Sequence, residues 1–354
     1  MTSIADQHSG VTIGVDTHKD AHVAAVLDHA GRVVDTRQFS ADRHGHCALH
    51  DWAIRHGEVV AVGIEGTGSY GAGLHRHLAG VGLPCIEVNH TNRQHRRRHG
   101  KSDTADAIGA ARAVQSGQAD GRPRGNDGLV EALRTIRVAL RSAIRSRSQA
   151  INQLRALVVT APEPLAQRFR HLTRDELVSR ASGLRPSADS SATTATKHAM
   201  RSLARRIRVL DVEIEDLRAE RDRYVWLVAP IQLMDEHGVG PDVASDLLIA
   251  FGDNPDRIRS ESSFAALCGV SPVDASSGKS QRHRLNRGGD RQANKALYRI
   301  VTCRMASDER TQRHVAQTIA RGKTKREAIR ILKRYVARHI WRLLQQHPPR
   351  LDNP

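Results

Sequence analysis

Four carboxylates in the first third of the chain stand at positions that call for a cation. Asp16 lies in Gly14-Val15-Asp16-Thr17-His18-Lys19, and Glu65 in Gly63-Ile64-Glu65-Gly66-Thr67-Gly68-Ser69-Tyr70. Each stands where a short β-branched run stops, Val11 to Val15 and Val59 to Ile64, of the kind that forms a buried strand. An ionised side chain at the end of such a strand is costly unless it faces a cleft, a cation or a partner. Asp103 and Asp106, in Lys101-Ser102-Asp103-Thr104-Ala105-Asp106-Ala107, open an alanine-rich run. On a helix they share a face and repel, so the pair asks for a cation or for roles as caps. Hard cations such as Mg²⁺ prefer carboxylate oxygens, and two of them can clamp the attacking and leaving oxygens of a phosphodiester. Singly, each acid also reads as a cap or turn residue; the four in this order favour a metal site.

The elements that must position these acids follow from the hydrophobic pattern. Residues 11 to 39 read as a three-strand meander and residues 43 to 56 as a helix. A strand ending at Glu65 follows, then a helix from about Tyr70 to Gly80 and a strand at Pro84 to Val88. A helix from about Thr104 to Gln115 comes last. The order is βββαβαβα. With acids at the ends of the first and fourth strands and on the last helix, it resembles the RNase H and RuvC nuclease fold, in which those positions converge on divalent cations.

Residues 118 to 127 read as a linker. Leu129, Leu133, Ile136, Leu140, Ile144, Ile151, Leu154 and Val158 then step mostly by threes and fours, an amphipathic helix. Arg134, Arg137, Arg141, Arg145 and Arg147 line it and are placed for phosphates. Residues 161 to 197, with three prolines and a Ser/Thr tract, read as loops around a short helix. Leu203, Ile207, Leu210, Ile214 and Leu217 make a two-heptad seam, which serves either a hairpin with the preceding helix or a second protomer. Gly238-Val239-Gly240-Pro241 between two helical patterns resembles a helix-hairpin-helix, and also reads as a plain turn. The Ser277-Gly278 step sits among Arg and Lys and offers a hydroxyl nucleophile with cations to stabilise charge on phosphate. The plain reading is a Ser-rich turn, since no general base stands beside it in sequence.

Across its 354 residues the chain carries a formal charge of +17. That balance points to nucleic acid before a membrane surface. The four cysteines are far apart with no Cys-x-x-Cys, which argues against disulfides and zinc ribbons. No apolar run approaches a membrane span or a leader, so the expected place is a reducing cytoplasm, at the nucleoid, with no membrane partner.

Taken together, the motifs resemble the insertion-sequence 110 family, or DEDD, transposases. They are Gly-Val-Asp-Thr-His-Lys (14–19), Glu-Gly-Thr-Gly-Ser-Tyr (65–70) and Lys-Ser-Asp-x-x-Asp-Ala (101–107), then Gly-Val-Gly-Pro (238–241) and Ser-Gly-Lys-Ser (277–280). Arg-Gly-Gly-Asp-Arg-Gln-Ala-Asn-x-Ala-Leu (287–297) and Gly-Lys-Thr-x-Arg-Glu-Ala-x-Arg-x-Leu-Lys-Arg-Tyr (322–335) complete the set. The resemblance implies three parts: a RuvC-like domain (1–117), linker and coiled-coil helices (118–228), and a mostly helical transposase domain with a serine loop (229–354). It implies DNA excision and insertion, Mg²⁺ at Asp16, Glu65, Asp103 and Asp106, and a covalent phosphoserine at Ser277, with Ser276 and Ser280 as neighbours. It further implies a homo-oligomer, dimer to tetramer, whose sites combine protomers, and a structured RNA that pairs with donor and target DNA. Such guidance leaves the protein to hold backbones, which suits its low aromatic fraction of 3%.

Three other readings compete. A RuvC-like, structure-selective endonuclease using metal-activated water would share the acids and never link to DNA. An inactive nucleic-acid-binding protein would not need all five residues. A sugar kinase or actin-like ATPase would need a second phosphate hairpin and a duplicated domain, and neither is found.

Overall fold

A computed structural model describes residues 10–88, 102–125, 128–254, 257–275, 277 and 283–350. The chain forms two compact units, one of residues 1–128 with 251–267, the other of residues 129–250 with 268–354.

The first unit is built on a five-stranded sheet. β1 (Val11–Thr17), β2 (Ala21–Leu27) and β3 (Val33–Ser40) form the antiparallel meander. β4 (Val59–Glu65) and β5 (Cys85–Val88) add parallel strands on the other side of β1, giving the order β3-β2-β1-β4-β5. β1 is buried along its whole length, as a central strand covered on both faces must be. One face packs Ile13, Val15, Val26 and Ile64 against Leu49 and Trp52 of α1 (Arg43–Ile54) and Leu74 and Leu78 of α2 (Ala72–Gly80). Asp42 caps α1 by accepting from the Gly45 N–H at 2.8 Å.

The other face carries α3 (Asp103–Gln115). Here the sheet is made of small residues. A Cβ on Gly14 would lie 2.1 Å from the Ala107 carbonyl oxygen, and one on Gly63 would lie 2.7 Å from a Val114 methyl. The helix therefore rests directly on the strands. Ala110 and Val114 pack with Ala61 and Val88, and Gln115 donates to the Asp28 carbonyl at 2.8 Å. Within the same unit, α10 (Glu261–Leu267) follows a segment in which Asp253 accepts from the Gly125 N–H and Arg259 pairs with Asp120 at 3.0 Å.

The second unit is helical. α4 (Gly128–Thr160) and α7 (Ala192–Val228) run antiparallel, each roughly 50 Å or more by helical rise. Leu140 and Ala143 pack with Ile214, while Ala150, Leu154 and Val158 pack with Met200, Ala204 and Ile207. The heptad seam is thus used inside the chain, as a hairpin. Between these helices the chain forms α5 (Glu163–Phe169) and α6 (Arg174–Ser182). The Ser/Thr tract is not a loop throughout. Asp189 and Ser191 cap the helix that begins at Ala192, and Thr194 donates both to the Ser191 hydroxyl and to Asp189. α8 (Ile231–Met234), one turn long, and α9 (Pro241–Phe251) flank Gly238, whose φ of +86° suits glycine. A short hairpin of β6 (Val273–Asp274) and β7 (His283–Arg284) precedes α11 (Arg291–Ser307), α12 (Glu309–Ala320) and α13 (Lys325–Gln346).

Among the described residues, no helix is long and apolar enough to cross a membrane.

Candidate active site

Alternation along β1 and β4 explains how the acids converge. Gly14 and Asp16 point to the same face of the sheet, as do Gly63 and Glu65. The glycines seat α3, and the acids project one step beyond, beside its N-terminus. That end presents Asp103 and Asp106 in the first turn, where the helix dipole favours negative charge. The Thr17 hydroxyl donates to the Glu65 carbonyl at 2.7 Å and fastens the ends of the two strands together. Gly66 then turns the chain away at φ +72°.

Asp16 is only 6% exposed. Burial is the main cause that pushes its carboxyl above the usual range. His18 opposes this, and the negative charges of Glu65, Asp106 and Asp103 add to it. Glu65 Oε2 is buried with no hydrogen-bond partner. A buried oxygen left unpaired within electrostatic reach of Asp16 has the donor chemistry of a site for a hard cation. Asp103 is the first residue of α3 and not its cap, a place taken by Ser102. The Lys101 that precedes them lies outside the described residues.

His18 joins this group and was not singled out by the sequence reading. Its Nε2 lies 3.2 Å from Asp16 Oδ2 and 3.4 Å from Asp103 Oδ1 and makes no hydrogen bond to either. Asp16, His18 and Asp103 can all place a ligand atom within 4.8 Å of one another. The signal was in the sequence: two residues apart on an extended segment means the same face.

Ser277 belongs to the second unit, exposed on the hairpin between β6 and β7. Its neighbours Ser276, Gly278, Lys279, Ser280 and Arg282 lie outside the described residues. The foot of the hairpin is pinned. Asn294 of α11 donates to the carbonyls of Cys268 and Gly269 at 2.9 and 3.1 Å, and Lys333 of α13 donates to Asn294 Oδ1 at 2.8 Å. Asp290 caps α11 through the Gln292 and Ala293 N–H groups.

Four of the five arginines expected to line α4 for phosphates are engaged inside the chain. Arg134 pairs with Glu131 and Arg147 with Asp211. Arg137, 4% exposed, lies against Asp242 and Asp246, and Arg141 also reaches Asp246. Asp242, in the first turn of α9, further meets Arg221 and Arg299. Burial opposes its ionisation, yet the guanidinium groups of Arg137, Arg299 and Arg221 prevail and hold its carboxyl below the usual range. This turn is an ionic clasp within the unit.

Residues 13–161 match the family model described as a transposase of the DEDD IS110 type, and residues 232–316 match that of the transposase IS116/IS110/IS902 family. The chain belongs to the IS110 family of transposases. The two matches cover about two thirds of it, in the order its motifs run. The transposase is therefore an enzyme of DNA transposition, and its DEDD domain is of a kind that uses divalent metal. The acids and His18 lie inside the first match, and Ser277 inside the second. No curated protein matches the chain.

Proposed function

We propose that this transposase excises and inserts an insertion sequence through a serine-linked DNA intermediate, with Asp16, Glu65, Asp103 and Asp106 holding Mg²⁺ and Ser277 as the nucleophile. The observation that carries the reading is the convergence of four acids, one of them with a buried unpaired oxygen, at the β1 and β4 ends. The strand order and acid placement also support an RNase H or RuvC-like origin for this unit. Bound cations would neutralise the scissile phosphate and make its phosphorus easier to attack.

The chain's own groups do the rest. The strand ends and the α3 N-terminus keep the carboxylates fixed, so no reorganisation is needed as charge develops. The Ser277 hydroxyl attacks phosphorus. The bond from Oγ to phosphorus forms as the bond to one deoxyribose oxygen breaks, the serine proton is lost, and the departing oxygen is protonated. The link keeps the phosphodiester's energy for rejoining to a new strand. A homo-oligomer, dimer to tetramer, would let acids and serine come from different protomers, and a structured RNA would choose the DNA ends.

The competing reading is the water-using endonuclease. Ser277→Ala separates them in a cleavage assay on element-junction DNA with Mg²⁺ and the element's non-coding RNA. The recombinase loses strand cleavage on the order of 10³-fold or more; retained cleavage would favour the endonuclease.

A further inference from the structure

The second unit holds a cavity of about 390 Å³ at the foot of the Ser277 hairpin. Its walls combine two chemistries. Pro272, Leu285, Ile331 and Tyr335 make an apolar side. Leu285 and Tyr335 are 55% and 49% exposed, an arrangement that marks an interaction surface when it lines a concavity. Arg284, Lys323 and Arg330 also line it and are exposed, and Lys323 and Arg330 help hold the Glu327 carboxyl below the usual range. Glu327 is the one acid on the wall, and its carboxylate is committed to the Thr324 N–H and hydroxyl at the start of α13. Lys333, also on the wall, is held by Asn294.

An apolar wall beside exposed cations suits a flat apolar group joined to an anion. For a positively charged DNA transposase, a nucleotide lifted out of its stack would meet that description, its base on Tyr335 and its phosphate at Arg330 and Arg284. The His314 ring meets the Tyr335 ring edge-on at 5.9 Å and sets its tilt. The volume falls near the small end of pockets that hold small molecules, about 300–1,000 Å³, which accords with one nucleotide rather than several.

We propose that this cavity is a nucleotide subsite that takes one unstacked nucleotide of the DNA strand handled by the Ser277 hairpin. The inference rests on the reading of Ser277 given above. Arg284 ends the strand that follows the serine loop in sequence, so the cavity wall and that loop share one hairpin.

The test uses the full-length protein and a mixed-sequence single-stranded DNA bearing 5-iodouracil, irradiated and peptide-mapped. A crosslink on the peptide containing Tyr335 is expected. Tyr335→Ala should weaken single-strand binding about tenfold, Tyr335→Phe should bind within about twofold of the parent, and duplex binding should hold for both. Arg330→Ala should lower the salt slope by about one. Thermal unfolding checks that the Ala variant is folded. Crosslinks confined to other peptides, formed only with RNA of the same sequence, or single-strand binding unchanged in Tyr335→Ala would overturn the subsite. A Tyr335 crosslink in a protein that forms no Ser277 adduct with element-junction DNA, the element's RNA and Mg²⁺ would support the subsite and overturn the serine chemistry. A Ser277 link without Tyr335 crosslinking would overturn the subsite alone.

Discussion

At the scale of single residues, Asp16 sets the character of the site. Its carboxyl is held above the usual range by burial, with its three acidic neighbours adding to the effect. The sign of the linkage follows. The native state binds this proton more tightly than the unfolded chain, so ionising Asp16 costs stability as pH rises through the window between the two values. At neutral pH that cost is fully present. Asp16→Asn should therefore stabilise the metal-free protein, by on the order of 1 kcal/mol, and its advantage should shrink as pH falls through the carboxylate range. Thermal unfolding with and without MgCl₂ checks both halves. Mg²⁺ at a hundred times its Kd should add about 2.7 kcal/mol to the parent and little to the variant. The places of Asp16 and Glu65 near the ends of β1 and β4 were legible in the sequence because strand ends and alternation are local. His18 was equally local and was passed over because a lone histidine beside a turn has many ordinary roles.

At the scale of elements, the seat of α3 on β1 and β4 decides the site's geometry. Gly14→Val should push the helix off the sheet, costing about 1–3 kcal/mol as overpacking, and should weaken metal binding more than a surface change of equal cost; denaturant unfolding and metal titration read the two effects. In the second unit the Arg137 and Asp246 pair is buried on both sides. Asp246→Ala should cost about 3–5 kcal/mol, because it leaves a buried guanidinium with less compensation; a loss under 1 kcal/mol by denaturant unfolding would contradict the clasp. The element order of the first unit and the amphipathic run of α4 were readable from hydrophobic period. The role of Arg137 was not, since its partner lies 109 positions away and helical spacing shows only which residues share a face. The Ser/Thr tract misled in a different way. Composition suggested a loop, while Ser191 and Asp189 cap the incoming helix.

At the scale of the whole molecule, the surplus of cations is what remains after the internal pairs are discounted. A formal charge of +17 still predicts DNA binding that weakens steeply with salt, through release of counterions from neutralised phosphates. Binding measured between 50 and 200 mM salt should fall on the order of 10³-fold if roughly six phosphates are held, and a flat response would contradict a backbone-holding surface. The central claim, a metal-bearing acid cluster working with a serine nucleophile, is tested most directly by covalent trapping. The transposase is incubated with Mg²⁺, element-junction DNA and RNA transcribed from the element's non-coding end, then resolved under denaturing conditions and peptide-mapped. The account predicts DNA bonded to Ser277, with the adduct absent in Asp16→Ala and in Ser277→Ala. Cleaved DNA with no adduct on any serine would contradict it.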